Sequence, residues 1–177
     1  MKVKIVSLLS MMFAFQSHAQ NMVKIDNPDT LKQVQHVIFE FLENNIADIH
    51  LHDLEKFKQD QSKQIFYSNL FSVDIHQMRL DQSPIFRDFL NDVWGDSTLP
   101  SRSGKTKIAF ISKSLEKCKP GAYHLVISPM VKYKGNIYCR MFLRIKAEEV
   151  SYLGELYFAL NNKMCIVKTG FLDSIID

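Results

Sequence analysis

Residues 121–170 read GAYHLVISPMVKYKGNIYCRMFLRIKAEEVSYLGELYFALNNKMCIVKTG, and their pattern predicts four strands that fold back on one another. Gly135-Asn136 stands between two runs of β-forming residues, which is typical of a two-residue hairpin loop with positive φ. That loop places Tyr133 opposite Tyr138 and Met130 opposite Met141. After it, an apolar series alternates with a mixed aromatic and cationic series, as in a half-solvated antiparallel strand. The apolar residues are Ile137, Cys139, Met141, Leu143 and Ile145, and the mixed residues are Tyr138, Arg140, Phe142, Arg144 and Lys146.

A second hairpin is predicted at Asn161-Asn162, because asparagine tolerates left-handed φ. In this register Glu155 lies opposite Lys168, as an ion pair across two strands. The residues that then share an apolar face are Leu156, Phe158, Cys165 and Val167.

Residues 1–19 have the features of a bacterial secretory signal peptide. Lys2 and Lys4 make the start positive, and the segment from Ile5 to Phe15 is apolar. Ser17-His18-Ala19 is a small-residue cleavage site. The apolar run is shorter than a bilayer span, and no Cys stands at the cleavage point to carry a lipid. We therefore expect a periplasmic or secreted protein, cleaved near Ala19, with no membrane span afterwards.

Cleavage would leave residues 20–177 as a single domain, which is long enough for a hydrophobic core. The net charge would fall from +3 to +1, because the leader holds two lysines and no acid. A charge so close to neutral gives no electrostatic basis for binding nucleic acid. The 13 Phe and 6 Tyr supply the apolar area of a folded domain rather than a disordered one.

The three cysteines, Cys118, Cys139 and Cys165, are an odd number for an oxidising compartment. Cys139 and Cys165 both fall on predicted strands whose faces carry apolar residues. We favour buried thiols at these positions over a disulfide between them, because free cysteine is often buried.

Helices are predicted before the strands. Asn27 can cap a helix that begins at Pro28, and apolar residues from Leu31 to Leu42 recur at helical spacing. The later elements predicted are a shorter helix through Leu54 and Phe57, a short strand within residues 65–75, a helix from Ser83-Pro84 to Gly95, and a strand from Lys107 to Ile111.

Segregated helices and antiparallel strands predict an α+β domain, with N-terminal helices packed on a curved antiparallel meander sheet. In element order, residues 26–177 resemble the NTF2-like superfamily, in which a strongly curved sheet wraps around N-terminal helices. A cystatin-like sheet around one long helix is the alternative, and the helix from Ser83 counts against it.

Three motif-like segments lack the surroundings that their chemistry requires. The segment from Asp48 to Asp53 resembles a metal cluster, but on a helix His50 and His52 point about 200° apart. Gly104-Lys105-Thr106 lacks the earlier glycine and the following helix of a phosphate-binding loop. Ser114 with Lys117, and Lys168-Thr169-Gly170, resemble two motifs of penicillin-recognising serine enzymes, but the third motif is missing. We therefore predict no metal and no cofactor.

Two polar pairs are candidates for lining a pocket. Asp74 and His76, with Asp88, could act as acid and base between the sheet and the helices. The hairpin register places His124 and Ser128 on the apolar face of the sheet. A polar group on such a face is either hydrogen-bonded core, which is the commoner outcome, or the lining of a pocket.

The mixed series is a candidate contact surface. The two arginines Arg140 and Arg144, with Tyr138, Tyr133 and Phe142, form a stripe that could bind an anion, a sugar or a partner protein. A solvated sheet face is the preferred interpretation, and a protein interface, including a face-to-face homodimer, is the next.

Taken together, these patterns predict a small exported, non-catalytic module that binds an unknown small molecule or protein. Two alternatives stay open: an NTF2-like enzyme with a His/Asp pocket, and a homodimeric interaction protein.

Overall fold

A computed structural model describes residues 23–51, 54–59, 63–69, 89, 106–147 and 151–173. The predicted signal peptide lies outside these ranges, as does the predicted helix from Ser83 to Gly95 except for Phe89. The described elements are strand β1 (Val23–Lys24), helix α1 (Pro28–Asn45), helix α2 (Leu54–Gln59), and strands β2 (Gln64–Asn69), β3 (Ala109–Ser112), β4 (Tyr123–Ile127), β5 (Val131–Tyr133), β6 (Asn136–Ile145), β7 (Ser151–Leu160) and β8 (Ile166–Asp173). Single 3-10 turns lie at Ile46–Asp48 and Leu115–Lys117.

The first helix begins where its sequence signals predict. Asn27 Oδ1 accepts hydrogen bonds from the backbone N–H groups of Asp29 and Thr30, at 2.9 and 3.1 Å. These bonds satisfy N–H groups that a helix start otherwise leaves unpaired. Pro28 has no backbone N–H group and therefore needs no acceptor. The apolar stripe is buried, with Val34 and Ile38 at its centre. The shorter helix through Leu54 and Phe57 is also confirmed as α2, and both residues are buried.

The sheet is mixed, which corrects the prediction of a wholly antiparallel meander. Antiparallel pairing does join β4 and β5 to β6, β6 to β7, and β7 to β8. However, β2 lies between β3 and β4 and runs parallel to both. The predicted strand from Lys107 is therefore present as β3, but at a sheet edge beyond β2 rather than at the start of the meander. The domain is α+β, with α1 packed on a mostly antiparallel sheet.

Both predicted hairpin registers are wrong. The loop between β5 and β6 is Lys134-Gly135, with φ of 46° and 84°, so Tyr133 pairs with Asn136. Two successive positive φ values match a type I′ turn, in which glycine favours the second loop position. The loop between β7 and β8 is longer than expected, because Asn161 Oδ1 accepts hydrogen bonds from the N–H groups of Lys163 and Cys165, at 2.9 and 3.0 Å. Hence Lys168 lies opposite Ala159, and Glu155 lies opposite Leu172.

The longer second loop also changes the surroundings of the cysteines. Cys165 is exposed in the loop, and Val167 is 47% exposed at the start of β8, so neither shares the buried face that was predicted. Cys118 and Cys139 are buried thiols, and none of the three cysteines is in a disulfide. Burial raises the pKa of the Cys139 thiol, which keeps it protonated and unreactive.

The sheet has two faces, here named the helix face and the opposite face. On the helix face, Leu125, Met141 and Phe158 belong to one buried cluster with the α1 residues Val34 and Ile38. On the opposite face, cross-strand pairing aligns side chains of neighbouring strands, because paired residues point the same way. His124 pairs with Arg144 and with Phe66, and Arg140 pairs with Tyr157.

A β-bulge between β4 and β5 decides which residues lie on which face. Ile127 lies opposite Met141, whereas Val131 lies opposite Tyr138, so residues 128–130 contain one extra residue. Because side chains alternate along a strand, one extra residue exchanges the faces. Met130 therefore packs in the core with α1, while His124 and Ser128 lie on the opposite face. The prediction that placed both on the apolar helix face is wrong.

The opposite face is also partly covered. Residues 113–122 must cross β2 to join β3 to β4, and they cross on this face, because the Lys113 carbonyl accepts a hydrogen bond from His124 Nε2 at 2.9 Å. Lys113 Nζ lies 5.0 Å from the centre of the Phe66 ring. We name residues 113–122 the crossover connection. Phe89 is fully buried on the same face. The preferred prediction of a solvated face is therefore wrong.

Candidate functional site

Two arginine side chains on the opposite face lie beside the ring of Phe142. The guanidinium carbon of Arg140 lies 4.3 Å from the centre of the Phe142 ring, and that of Arg144 lies 5.9 Å from it. Both arginines lie on this face because side chains alternate along β6, so that every second one points to it. Cations at these distances are attracted by the negative face of an aromatic ring. We name Arg140, Phe142 and Arg144 the arginine–phenylalanine stripe.

Arg140 is held by a bidentate ion pair with Glu155. Its Nε donates to Glu155 Oε2 at 2.9 Å, and its Nη2 donates to Oε1 at 2.7 Å. The side chains are 14% and 23% exposed, so the pair is largely shielded from water. Arg140 lies opposite Tyr157 in the ladder and Glu155 is two residues away, a diagonal that long side chains can span.

Tyr157 completes this network. Its hydroxyl donates a hydrogen bond to Glu155 Oε2, and its ring centre lies 5.6 Å from the Arg140 guanidinium carbon. Burial, followed by the hydrogen bond to Glu155, raises the pKa of the Tyr157 hydroxyl above its usual value, and Arg140 opposes this only in part. The hydroxyl is therefore a fixed donor, and we name Arg140, Glu155 and Tyr157 the ion-pair network.

An aromatic cluster covers the end of the face beside this network. Phe89 lies 5.5 Å from Tyr157 and 6.2 Å from Tyr138, measured between ring centres. The ammonium group of Lys168 donates to the Phe89 carbonyl and lies 4.5 Å from its ring. Tyr133 and Tyr138 are both buried in this cluster. These two tyrosines were predicted as surface-binding residues, and their burial corrects that prediction.

His124 is fully buried beneath the crossover connection. Because a carbonyl can only accept, Nε2 carries the proton that bonds to Lys113, and Nδ1 carries a lone pair. Nδ1 has no hydrogen-bond partner. Burial lowers the pKa of His124, the bond to Lys113 raises it, and the positive charge of Arg144 lowers it further. The imidazole is thus neutral at pH 7 and ties the crossover connection to the sheet.

Ser128 stabilises the β-bulge. Its backbone N–H donates to the Arg140 carbonyl at 2.9 Å, and its hydroxyl accepts a hydrogen bond from the Arg140 N–H at 3.3 Å. The hydroxyl therefore replaces the backbone carbonyl that the bulge turns away. His124 and Ser128 fit the hydrogen-bonded alternative of the sequence analysis, although on the other face of the sheet.

Two small cavities are lined entirely by described residues. One is apolar, between α1, α2 and the helix face, with Leu42, Leu54 and Leu125 in its wall. The other is beside the bulge, where Gln35 Nε2 donates to Asn69 Oδ1 at 2.7 Å. Each has room for about one water molecule, which is far below the volume of a ligand pocket.

Some predicted residues lie outside the described part of the chain. They are Asp74, His76 and Asp88, together with His52 and Asp53 of the segment that resembles a metal cluster. Within the described ranges, no three His, Cys, Asp or Glu side chains are grouped to hold a metal ion. The helices described include none that is long and apolar enough to cross a membrane.

No family model, curated protein or solved structure matches this chain. The fold and site thus define the protein as an α+β domain whose mixed sheet packs against α1 on one face and is partly covered on the other. The sequence analysis missed Glu155, Tyr157 and Phe89 as members of the site. The available signal for the first two was their spacing, because residues two apart on a strand, such as Glu155 and Tyr157 on β7, share a face.

Proposed function

We propose that this protein is an exported, non-catalytic binding module with an NTF2-like arrangement, and that it contacts a protein partner through the arginine–phenylalanine stripe. The signal-peptide pattern of residues 1–19 supports export. Two helices, α1 and α2, that precede β2 to β8, and bulges in β6–β7 and β7–β8 that bend the sheet, support the NTF2-like arrangement.

The observation that carries the proposal is the partial exposure of Arg140 and Arg144 around a buried Phe142 on the opposite face. Arginine and aromatic side chains are enriched where proteins bind one another. The polar groups beside the stripe are engaged in structural hydrogen bonds: Arg140 with Glu155, and His124 with Lys113. A binding role uses such fixed groups, whereas acid–base catalysis needs a group that can exchange its proton with a substrate.

Charge reversal at Arg144 tests the proposal. Arg140 is unsuitable for this purpose, because its substitution would leave Glu155 without its partner. We would tag the chain, treat the producing cells with formaldehyde and measure cross-linked species by mass spectrometry. We expect one discrete adduct with the wild type and at least a tenfold loss of it with Arg144→Glu.

The matched control is Lys132→Glu, which reverses an exposed cation on another part of the sheet. It should leave the adduct unchanged, and both variants should keep the thermal midpoint of the wild type within a few degrees. An adduct that persists in Arg144→Glu, or the absence of any adduct from all three proteins, contradicts the proposal. An adduct of twice the chain mass identifies the partner as a second copy.

A further inference from the structure

The crossover connection is tied to the sheet at both ends. The Lys113 N–H donates to the Tyr67 carbonyl at 2.9 Å, and Gly121 and Ala122 bond to the backbone of Lys146 at 2.5 and 2.8 Å. The hydrogen bond from His124 Nε2 to the Lys113 carbonyl fixes its start, and Lys113 Nζ over Phe66 adds a cation–ring contact. The connection follows directly from β3, a four-residue strand that among described residues pairs with β2 alone. Short edge strands with few buried contacts open at lower free energy than central strands.

The surroundings of His124 disfavour the protonated, positively charged form of its imidazole. A proton added at Nδ1 would lie in a fully buried position with no acceptor. Among the described residues, the charged group beside the ring is the cation of Arg144 on β6. Lys113 contacts the ring through its carbonyl, and its Nζ lies over Phe66. β2 contributes the apolar ring of Phe66. The acid nearest in sequence, Glu116, is exposed in the 3-10 turn.

We propose that protonation of His124 opens the crossover connection and β3 together, which makes this sheet edge an acid-sensitive segment. Opening moves the Lys113 carbonyl away and lets water reach Nδ1–H, while β4 keeps its antiparallel pairing with β6. The charge is then solvated without unfolding the domain. The open state uncovers Phe66, so acid would create a new apolar surface on β2.

The difference in the pKa of His124 between the closed and open states sets the size and direction of the pH effect on opening. The closed state holds His124 at a lowered pKa, and the open state restores the ordinary value of about 6.5. The open state therefore binds more protons, so the closed state loses stability as pH falls. The opening constant should rise about tenfold for each pH unit below ~6.5, until the pKa of the closed state is passed.

Hydrogen exchange of the full chain, followed by mass spectrometry between pH 8 and pH 5 and corrected for intrinsic rates, tests the proposal. The exchange rate of peptides covering residues 109–122 should rise as the pH falls, and that of peptides covering residues 137–145 should not. His124→Gln keeps a donor for the Lys113 carbonyl but cannot titrate. The acid-dependent rise in exchange of residues 109–122 should therefore disappear in this variant. His36→Gln removes an exposed imidazole from α1 and should leave the rise intact.

An equal rise in His124→Gln, or an equal rise in both groups of peptides of the wild type, overturns the proposal. If His124→Gln does not fold, the comparison between the two groups of wild-type peptides still decides. Restriction of the rise to residues 109–122 then supports acid opening, and its absence or its spread to β6 contradicts it.

Discussion

Substitution of Glu155 by alanine tests the ion-pair network, which joins β6 to β7 on the opposite face. The variant removes the carboxylate that accepts both bonds from Arg140 and the bond from the Tyr157 hydroxyl. Arg140 would keep its charge beside the Phe142 and Tyr157 rings, largely shielded from water. A buried charge that loses its partner is the main source of the expected destabilisation.

The expected magnitude follows from the exposure of the pair. Loss of one partner from a fully buried pair costs about 3–5 kcal/mol, and from an exposed pair at most about 1 kcal/mol. Exposures of 14% and 23% place this pair nearer the buried limit. The unpaired Tyr157 hydroxyl adds about 1 kcal/mol. We expect a loss of about 3 kcal/mol in the free energy of unfolding, or roughly 6–12 °C in thermal midpoint for a domain of this size.

Urea unfolding followed by circular dichroism measures this loss. Arg140→Met with Glu155→Ala should be more stable than the sum of the two single variants predicts, by at least about 1.5 kcal/mol, because no charge is then left unpaired. The control is Asp26→Ala, which breaks the Lys24–Asp26 pair whose side chains are 39% and 72% exposed. It should change the free energy of unfolding by less than about 0.5 kcal/mol. Additive single variants, or equal losses for Glu155→Ala and Asp26→Ala, would refute the account of the network.

Three further predictions concern packing and processing. Phe89→Ala should lower the free energy of unfolding by about 3–5 kcal/mol, because it empties a fully buried site. Val167→Ala, at an exposed site, should change this free energy little. Equal effects of the two variants would contradict the assignment of Phe89 to the opposite face. Gly154→Ala should lower the free energy of unfolding by at least about 1–3 kcal/mol, because the new Cβ would collide with the Leu172 carbonyl and approach a methyl carbon of Leu51 to 2.8 Å. Full stability of this variant in urea would show that β7 and β8 lie further apart. Intact mass of the protein secreted or released from a periplasm should show loss of residues 1–19, and an uncleaved chain in the membrane fraction would contradict export.

Local signals predicted the first helix and the strands well. Asn27 and Pro28 mark a helix start through bonds within three residues, and the alternation along β6 is a property of one strand. The first hairpin register failed because the sequence permits two placements of Gly135 in the loop. Only the positive φ of Lys134 reveals which placement is used.

Long-range features could not be predicted from the sequence. Ser128-Pro129-Met130 carries no signal that one residue is extra, yet this bulge exchanges the faces of His124 and Met130. The insertion of β2 between β3 and β4 pairs residues 45 and 58 positions apart in the chain, and alternation within a strand does not specify its neighbours. As a result, His124 and Arg144 were assigned to opposite faces, although they pair directly across the sheet.

The face on which His124 lies is the central claim, because the candidate site and the acid-sensitive segment both depend on it. Nuclear Overhauser effects from the His124 imidazole measure this directly, since paired residues on neighbouring strands bring their side chains within about 5 Å. We predict contacts to the Phe66 ring and to the side chain of Arg144. Contacts to Ile38 or Leu42 of α1 instead would place His124 on the helix face and contradict the account.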